Sequence, residues 1–329
     1  MEGVSDPINQ ALLDDWQRGF PVTERPFGLL SEFLGTTEQD VINRLQTAIT
    51  TGRVTRIGAT CAPNTISAST LAAIAAPEDR IEEVADIIGE EPGVNHSYLR
   101  ENDWNLWFVA TGPDRAHVDR ALARIQKRSG LRVLDLRLVR PFNLDLGFSL
   151  RGGGARLPVA RPPDTSVLQE GDRDVMQALM RGLPMEERPY QAIARQLARP
   201  QAEVINRIKV LIGAGIIARL GVIVRHRALG WRANAMVVWD LPHDAITDAG
   251  PMLAAHPGVT LCYERTPVEG VWPYRLYSMI HARSRAEALS HLEAATELPG
   301  LKGVPHLALF SSRCFKQTGA LVSDRKEIA

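Results

Sequence analysis

Three groups of side chains in this sequence have types and spacings suited to chemistry. In Val94-Asn-His-Ser-Tyr-Leu-Arg100, an extended backbone places His96, Tyr98 and Arg100 on one face, because side chains alternate along a strand. Val259-Thr-Leu-Cys-Tyr-Glu-Arg265 sets Tyr263 and Arg265 in the matching places, with Leu261 where the first run has histidine. Arg225, His226 and Arg227 stand together ahead of Ala-Leu-Gly-Trp-Arg-Ala-Asn234. Guanidinium forks clamp carboxylates, aromatic rings cover a plane, and an imidazole near neutrality moves a proton or binds iron. The mixture suits a large, flat, polyanionic ligand. Each residue alone has a plainer reading: a packed strand histidine, a core tyrosine, a solvated Arg-His-Arg turn. Their recurrence at equivalent positions sets them apart.

That recurrence belongs to a duplication. Gly19-Phe-Pro-Val-Thr-Glu-Arg-Pro-Phe27 returns as Gly182-Leu-Pro-Met-Glu-Glu-Arg-Pro-Tyr190. Val41-Ile-Asn-Arg-Leu45 returns as Val204-Ile-Asn-Arg-Ile208, and Arg56-Ile-Gly58 as Arg219-Leu-Gly221, all at one offset of 163 residues. A period this long marks a duplicated domain pair rather than a solenoid, whose units run to about 20–50 residues.

Each copy opens with two helical patterns around a tight turn, capped in copy one by Thr36 or Thr37. A short extended hairpin follows (residues 54–58 and 217–224), the outline of a winged helix-turn-helix. The rest of each copy reads strand, helix, strand, strand, helix, strand. In copy one these fall at 67–75, 78–90, 94–100, 105–110, 114–128 and 132–139; in copy two at 233–241, 244–255, 259–264, 275–281, 285–296 and 305–310. This βαββαβ order is that of a ferredoxin-like sheet. The expected fold is therefore α+β, a tandem duplication in which each half is a winged helix-turn-helix domain followed by a ferredoxin-like domain. The expected boundaries are 1–60 and 61–150 for copy one, 171–226 and 227–329 for copy two. The span 151–170, with Gly152, Gly153 and Gly154 followed by a proline-rich stretch, reads as a linker, flexible at its start and stiff at its end.

Composition excludes several classes. Basic and acidic residues number 38 each, so no global field draws the chain to nucleic acid or membrane. No apolar run approaches the ~18 residues that span a bilayer. The N-terminus lacks a basic-then-apolar leader, and the cytoplasm is the expected compartment. Cys61, Cys262 and Cys314 are odd in number and far apart, giving neither a disulfide framework nor a metal motif. DNA reading is the rival function. Yet residues 1–58 carry five basic residues (Arg18, Arg25, Arg44, Arg53, Arg56) against eight acidic, a net of −3. In copy two, Pro200-Gln-Ala-Glu offers a weak reading face. Phosphate-dominated binding needs the opposite balance.

At these residues the chain resembles the siroheme decarboxylases, an Lrp/AsnC-related family. The resemblance is carried by the 225–239 run, Arg-His-Arg-Ala-Leu-Gly-Trp-Arg-Ala-Asn-Ala-Met-Val-Val-Trp, and by the His96-x-Tyr98-x-Arg100 strand. Trp104-Asn-Leu-Trp-Phe108, Trp272-Pro-Tyr-Arg-Leu-Tyr277 and Ser278-Met-Ile-His281 add to it. Copy one is similar to the D-type subunit and copy two to the L-type. The resemblance implies conversion of siroheme to 12,18-didecarboxysiroheme, with two CO2 released, in heme d1 biosynthesis. It implies two working histidines, which correspond here to His226, as general acid or iron-side ligand, and His96 as its partner across the cavity. Arg225, Arg227, Arg100 and Arg265 would hold carboxylates, and Tyr98, Tyr263 and Trp272 would shape the pocket. No cofactor is implied beyond the substrate's own iron, and no protein-bound metal. Expected partners are siroheme, other heme d1 biosynthesis proteins and a second copy of the chain through the ferredoxin-like sheets. The alternative is an Lrp/AsnC-type DNA-binding regulator that responds to heme. The histidines at 117, 243, 256, 281, 291 and 306 are expected to be structural.

Overall fold

The computed structural model describes residues 6–143, 147 and 162–323. Copy one runs α1 (Pro7–Asp14), α2 (Pro26–Leu34), α3 (Glu38–Thr50), β1 (Val54–Cys61), β2 (Ala68–Ile74), α4 (Ile81–Glu90), β3 (Val94–Arg100), β4 (Leu106–Gly112), α5 (Arg115–Ser129), β5 (Val133–Leu136) and β6 (Leu138–Asn143). Copy two runs α6 (Asp172–Arg181), α7 (Pro189–Gln196), α8 (Gln201–Gly213), β7 (Ile217–Val224), β8 (Ala233–Trp239), α9 (Ile246–Ala255), β9 (Val259–Arg265), β10 (Leu276–Ala282), α10 (Arg285–Thr296) and β11 (His306–Gln317). The tandem α+β fold is as the pattern implied. The glycine-rich start of the expected linker lies outside the described residues.

The helix-turn-helix units form from local signals. Thr37 caps α3 by accepting from the Asp40 amide, and Gly35 ends α2 in the left-handed conformation, at φ 65°. The strand after each unit differs from the expected hairpin. β1 and β7 pair antiparallel with each other, Gly58 opposite Gly221, so the two copies share one two-stranded ribbon. The cause is steric as much as hydrophobic. A Cβ on Gly58 would lie 2.4 Å from the Leu179 carbonyl oxygen, and one on Gly221 would lie 2.2 Å from that of Gln17. Helical segments from both copies press onto the ribbon where no side chain intervenes. Both three-helix units then bury one common core, with Phe27, Leu45, Tyr190 and Leu211 fully enclosed.

The remaining strands form one sheet in the order β5-β2-β4-β3-β11-β8-β10-β9-β6. Its two ends, β5 and β6, are separated in sequence by Arg137 alone, so the sheet returns on itself. Each copy lends the end of its last strand to the other. β6 leaves copy one to pair with β9, and the second half of β11 leaves copy two to pair with β3. Helices α4 and α5 cover one outer face, and α9 and α10 the other. The inner faces pack on Trp107, Tyr277, Trp272, Met236 and Leu134. Fully burying such a ring contributes about 2–3 kcal/mol. The sheet faces expected to join a second copy of the chain are thus covered within one chain. Among the described residues no helix is long and apolar enough to cross a membrane.

Candidate active site

Within β3, a register shift between Val94 and His96 sets the faces. Val94 packs into the helix-side core, whereas His96, Tyr98 and Arg100 follow one another on the inner face. The His96 ring stacks on Tyr98 with centroids 6.5 Å apart, and the Arg100 guanidinium lies 5.5 Å from the Tyr98 centroid. From His96 to Arg100 the run covers about 13 Å of strand.

At the Arg100 end a chain of hydrogen bonds crosses into copy two. Arg100 Nη1 donates to Asn234 Oδ1 at 3.1 Å and to the Leu309 carbonyl at 3.0 Å. Asn234 Nδ2 meets His281 Nε2 at 2.6 Å, His281 Nδ1 meets Thr260 Oγ1 at 2.7 Å, and Thr260 Oγ1 donates to the Met279 carbonyl at 3.1 Å. The directions follow from the ends. Because Asn234 Oδ1 already accepts from arginine, its amide nitrogen faces the imidazole and donates. His281 Nε2 therefore accepts, and Nδ1–H donates to a hydroxyl whose own proton is spent on a carbonyl. The network holds His281 neutral in one tautomer. Burial, the His226 ring and Arg100 all act in that direction, lowering its pKa to about 3.

His226 opens a 3-10 turn, His226–Leu229, directly after β7, and its ring centroid is 5.7 Å from that of His281. The imidazole beside His226 is thus His281, expected to be structural, rather than His96. A cue existed in the sequence. Tyr277, Met279 and His281 alternate onto the inner face of β10, and His281 faces Asn234 across the β8 ladder. Neither residue was conspicuous without the pairing register.

His96 lies at the other end of the run, by Arg56 of β1. Burial and the Arg56 charge lower its pKa to about 4. Tyr98 sits between, raised by burial and by the neighbouring Cys314 thiol of β11, with Arg225 acting on it from copy two. Arg225 reaches this place because its amide donates to the Arg53 carbonyl at 2.8 Å, tying the turn of copy two to the start of β1. Arg225 and Arg227 are exposed, and neither side chain joins an ion pair among the described residues. They are well set to receive carboxylates.

The rest of the expected pocket wall is engaged in packing. Arg265 Nη1 donates to the Leu136 carbonyl at 2.7 Å, the counterpart of the Arg100–Leu309 bond, and its guanidinium lies 4.5 Å from the Tyr263 ring. Tyr263 stacks on Tyr277, and Trp272 Nε1 donates to the Tyr277 hydroxyl at 2.8 Å, 3% exposed. These three support the inner-face core and are not brought to the histidine pair. Among the described residues no group of three His, Cys, Asp or Glu could hold a metal ion.

Two arginines of the helix-turn-helix surface in copy one are already paired. Arg25 pairs with Glu38 and Glu187, and Arg44 with Asp6 and Asp40.

Family comparisons agree with this division. An AsnC-like ligand binding domain matches residues 66–142 and 228–316, and a siroheme decarboxylase NirDL-like HTH domain matches 9–52 and 172–217. The chain is 53% identical to the siroheme decarboxylase NirDL subunit of Paracoccus pantotrophus, over 97% of this chain and 98% of that one. It is 28% identical to the siroheme decarboxylase of Hydrogenobacter thermophilus, over 92% and 90% of the two chains. A crystal structure of the siroheme decarboxylase NirDL in co-complex with an iron-uroporphyrin III analogue aligns with a TM-score of 0.68 at 26% identity, covering 96% of this chain and 93% of that one.

Proposed function

The chain belongs to the siroheme decarboxylase NirDL family, and on that premise we propose that it converts siroheme to 12,18-didecarboxysiroheme with release of two CO2, in heme d1 biosynthesis. Each step breaks the bond between an acetate methylene and its carboxylate. CO2 leaves, the electron pair stays on the methylene carbon, and a proton completes the methyl group. The observation that carries the residue assignment is the His226–His281 pair held by the Arg100–Asn234–Thr260 network.

In that pair the two imidazoles have different parts. His281 is locked neutral by its bonds and cannot release a proton near neutral pH, so it is a positioning residue. His226 is the proton donor, half-buried at the mouth of the inner face. An imidazole suits the task because its ordinary pKa lies near the working pH. Arg225 and Arg227 hold substrate carboxylates, and anionic groups beside His226 favour its protonated form. Tyr98 supports the macrocycle along β3. His96, neutral and without a hydrogen bond to another described group, presents a lone pair suited to the substrate's iron.

The test is a titration with iron-uroporphyrin III followed at the Soret band, then CO2 release from siroheme. A shifted band, with CO2 release abolished in His226→Ala, is expected. An unshifted band together with tight, salt-sensitive binding to a defined operator would return the chain to the regulators.

A further inference from the structure

The buried arginines Arg100 and Arg207 each have guanidinium donors met by oxygen acceptors. Arg207, in copy two, donates from Nε and Nη2 to the buried Asp172 carboxylate at 2.9 and 2.7 Å. Arg56 in copy one differs. It is half-buried on β1, its Nε is enclosed, and its side chain makes no hydrogen bond or ion pair among the described residues. Its side chain has little freedom. A Cβ on Gly58 would come within 3.3 Å of Arg56 Nε, and one on Gly182 within 3.0 Å of Arg56 Cβ. Both glycines belong to the motifs that recur between the copies, so the slot is built by the shared scaffold.

Among the described residues, the charges that act on Arg56 do not offset it. Arg219 of β7 adds a second positive charge, and together with burial it holds the Arg56 pKa to about 10, still cationic at neutral pH. A further close titratable group is His96, itself kept neutral. A cation withdrawn from water without a counter-ion is costly, and a ligand anion removes that cost.

We propose that Arg56 is a binding residue for one peripheral carboxylate of the tetrapyrrole, at the His96 end of the inner face. The inference rests on the functional reading above and extends it: Arg225 and Arg227 grip the ligand from copy two, and Arg56 grips it from copy one, by His96. A guanidinium fork fits a carboxylate with two parallel bonds, which a point charge does not. The substrate would therefore be anchored by both copies, and a tetrapyrrole lacking a carboxylate on that side would bind less tightly.

The test compares two probes on the full chain: iron-uroporphyrin III and its uncharged octa-amide, each titrated at the Soret band. Arg56→Gln should weaken the acid about ten- to a hundredfold, the range for one charge-assisted contact, and leave the amide unchanged. Arg56→Lys should recover part of the loss, because the charge returns without the fork. Equal affinity of Arg56→Gln and the unsubstituted chain for the acid would overturn the proposal. So would an equal loss for acid and amide, which would mark Arg56 as structural. If the unsubstituted chain binds neither probe, the functional reading itself fails, and this proposal with it.

Discussion

The two copies carry different side chains at one and the same place on the inner face. In copy two, His281 of β10 faces Asn234 of β8, and Thr260 of β9 completes the network. In copy one, the matching register sets Thr111 of β4 opposite Ser69 of β2, with Asn95 on β3. Thr111 and Asn95 bind the chain's own C-terminal segment. The Thr318 amide donates to the Asn95 carbonyl at 2.7 Å, and the Leu321 amide to Thr111 Oγ1 at 2.9 Å. Val322, fully buried, then donates its amide to Gln177 of α6 at 2.8 Å. One half therefore uses the position to seat protein, and the other uses it to hold an imidazole. The halves are still not independent, since Arg100 of copy one begins the network that locks His281 in copy two.

The largest effect that would sharpen this contrast is His226→Ala. Loss of a general acid costs about a hundred- to ten-thousandfold in rate. Single-turnover CO2 release should fall by that much while iron-uroporphyrin III still binds. A loss confined to binding would break the assignment.

Next comes Asn234→Leu, which cuts the network between the copies. Arg100 and His281 would each lose a buried partner, costing about 1–3 kcal/mol in stability. The rate should also drop about tenfold as His281 loses its fixed orientation. Urea unfolding and kcat report the two effects separately, and an unchanged kcat would make the network purely structural.

A third test uses pH. His281 and His96 have folded-state pKa values of about 3 and about 4, below the ordinary 6.5. The unfolded chain takes up protons at these groups first, so the stability they contribute is full above about pH 6.5. It declines as pH falls from there toward about 4 for His96 and about 3 for His281. Denaturant midpoints at pH 7.5 and 5.0 should differ in that direction, and His96→Leu should reduce the difference. Equal midpoints would contradict the buried, neutral state of both rings.

The smallest effect belongs to copy one. Thr111→Val removes the acceptor for the Leu321 amide, worth about 1 kcal/mol. Hydrogen exchange at Leu321 should speed up about fivefold, with CO2 release unchanged. A matching loss of activity would show that both positions serve the reaction.

Much of the fold was legible in the sequence, apart from α1 and α6 ahead of the two expected helices of each copy, and the strand failures share one cause. The strand at 94–100 and the helix at 285–296 coincide with β3 and α10, because alternation and helical spacing are local. The strand expected at 305–310 extends to Gln317, and a further strand, β6, follows β5. Both additions pair with the other copy. Ser-Ser-Arg-Cys-Phe-Lys-Gln at 311–317 has no apolar period of its own, and only the open edge of β3 makes it a strand. The same applies to the β1–β7 ribbon, read as two local hairpins. For the site, His96, Tyr98 and Arg100 shared a face as their alternation implied. His281 was read as structural, and Arg56 only as a repeat position and a charge, because their neighbours are remote in sequence.

The sequence by itself determined the duplication, most of the helices and strands, the face shared by His96, Tyr98 and Arg100, and the family. These rest on residue types and short-range periods, which need no partner to be read. Only the tertiary structure decided which groups meet. Closing the sheet brings Arg100 to Asn234 across 134 residues, and pairing β1 with β7 brings the Arg219 charge within range of Arg56. The partner of a histidine and the counter-ion of an arginine are settled by packing between copies, where burial makes every unmet charge or bond costly.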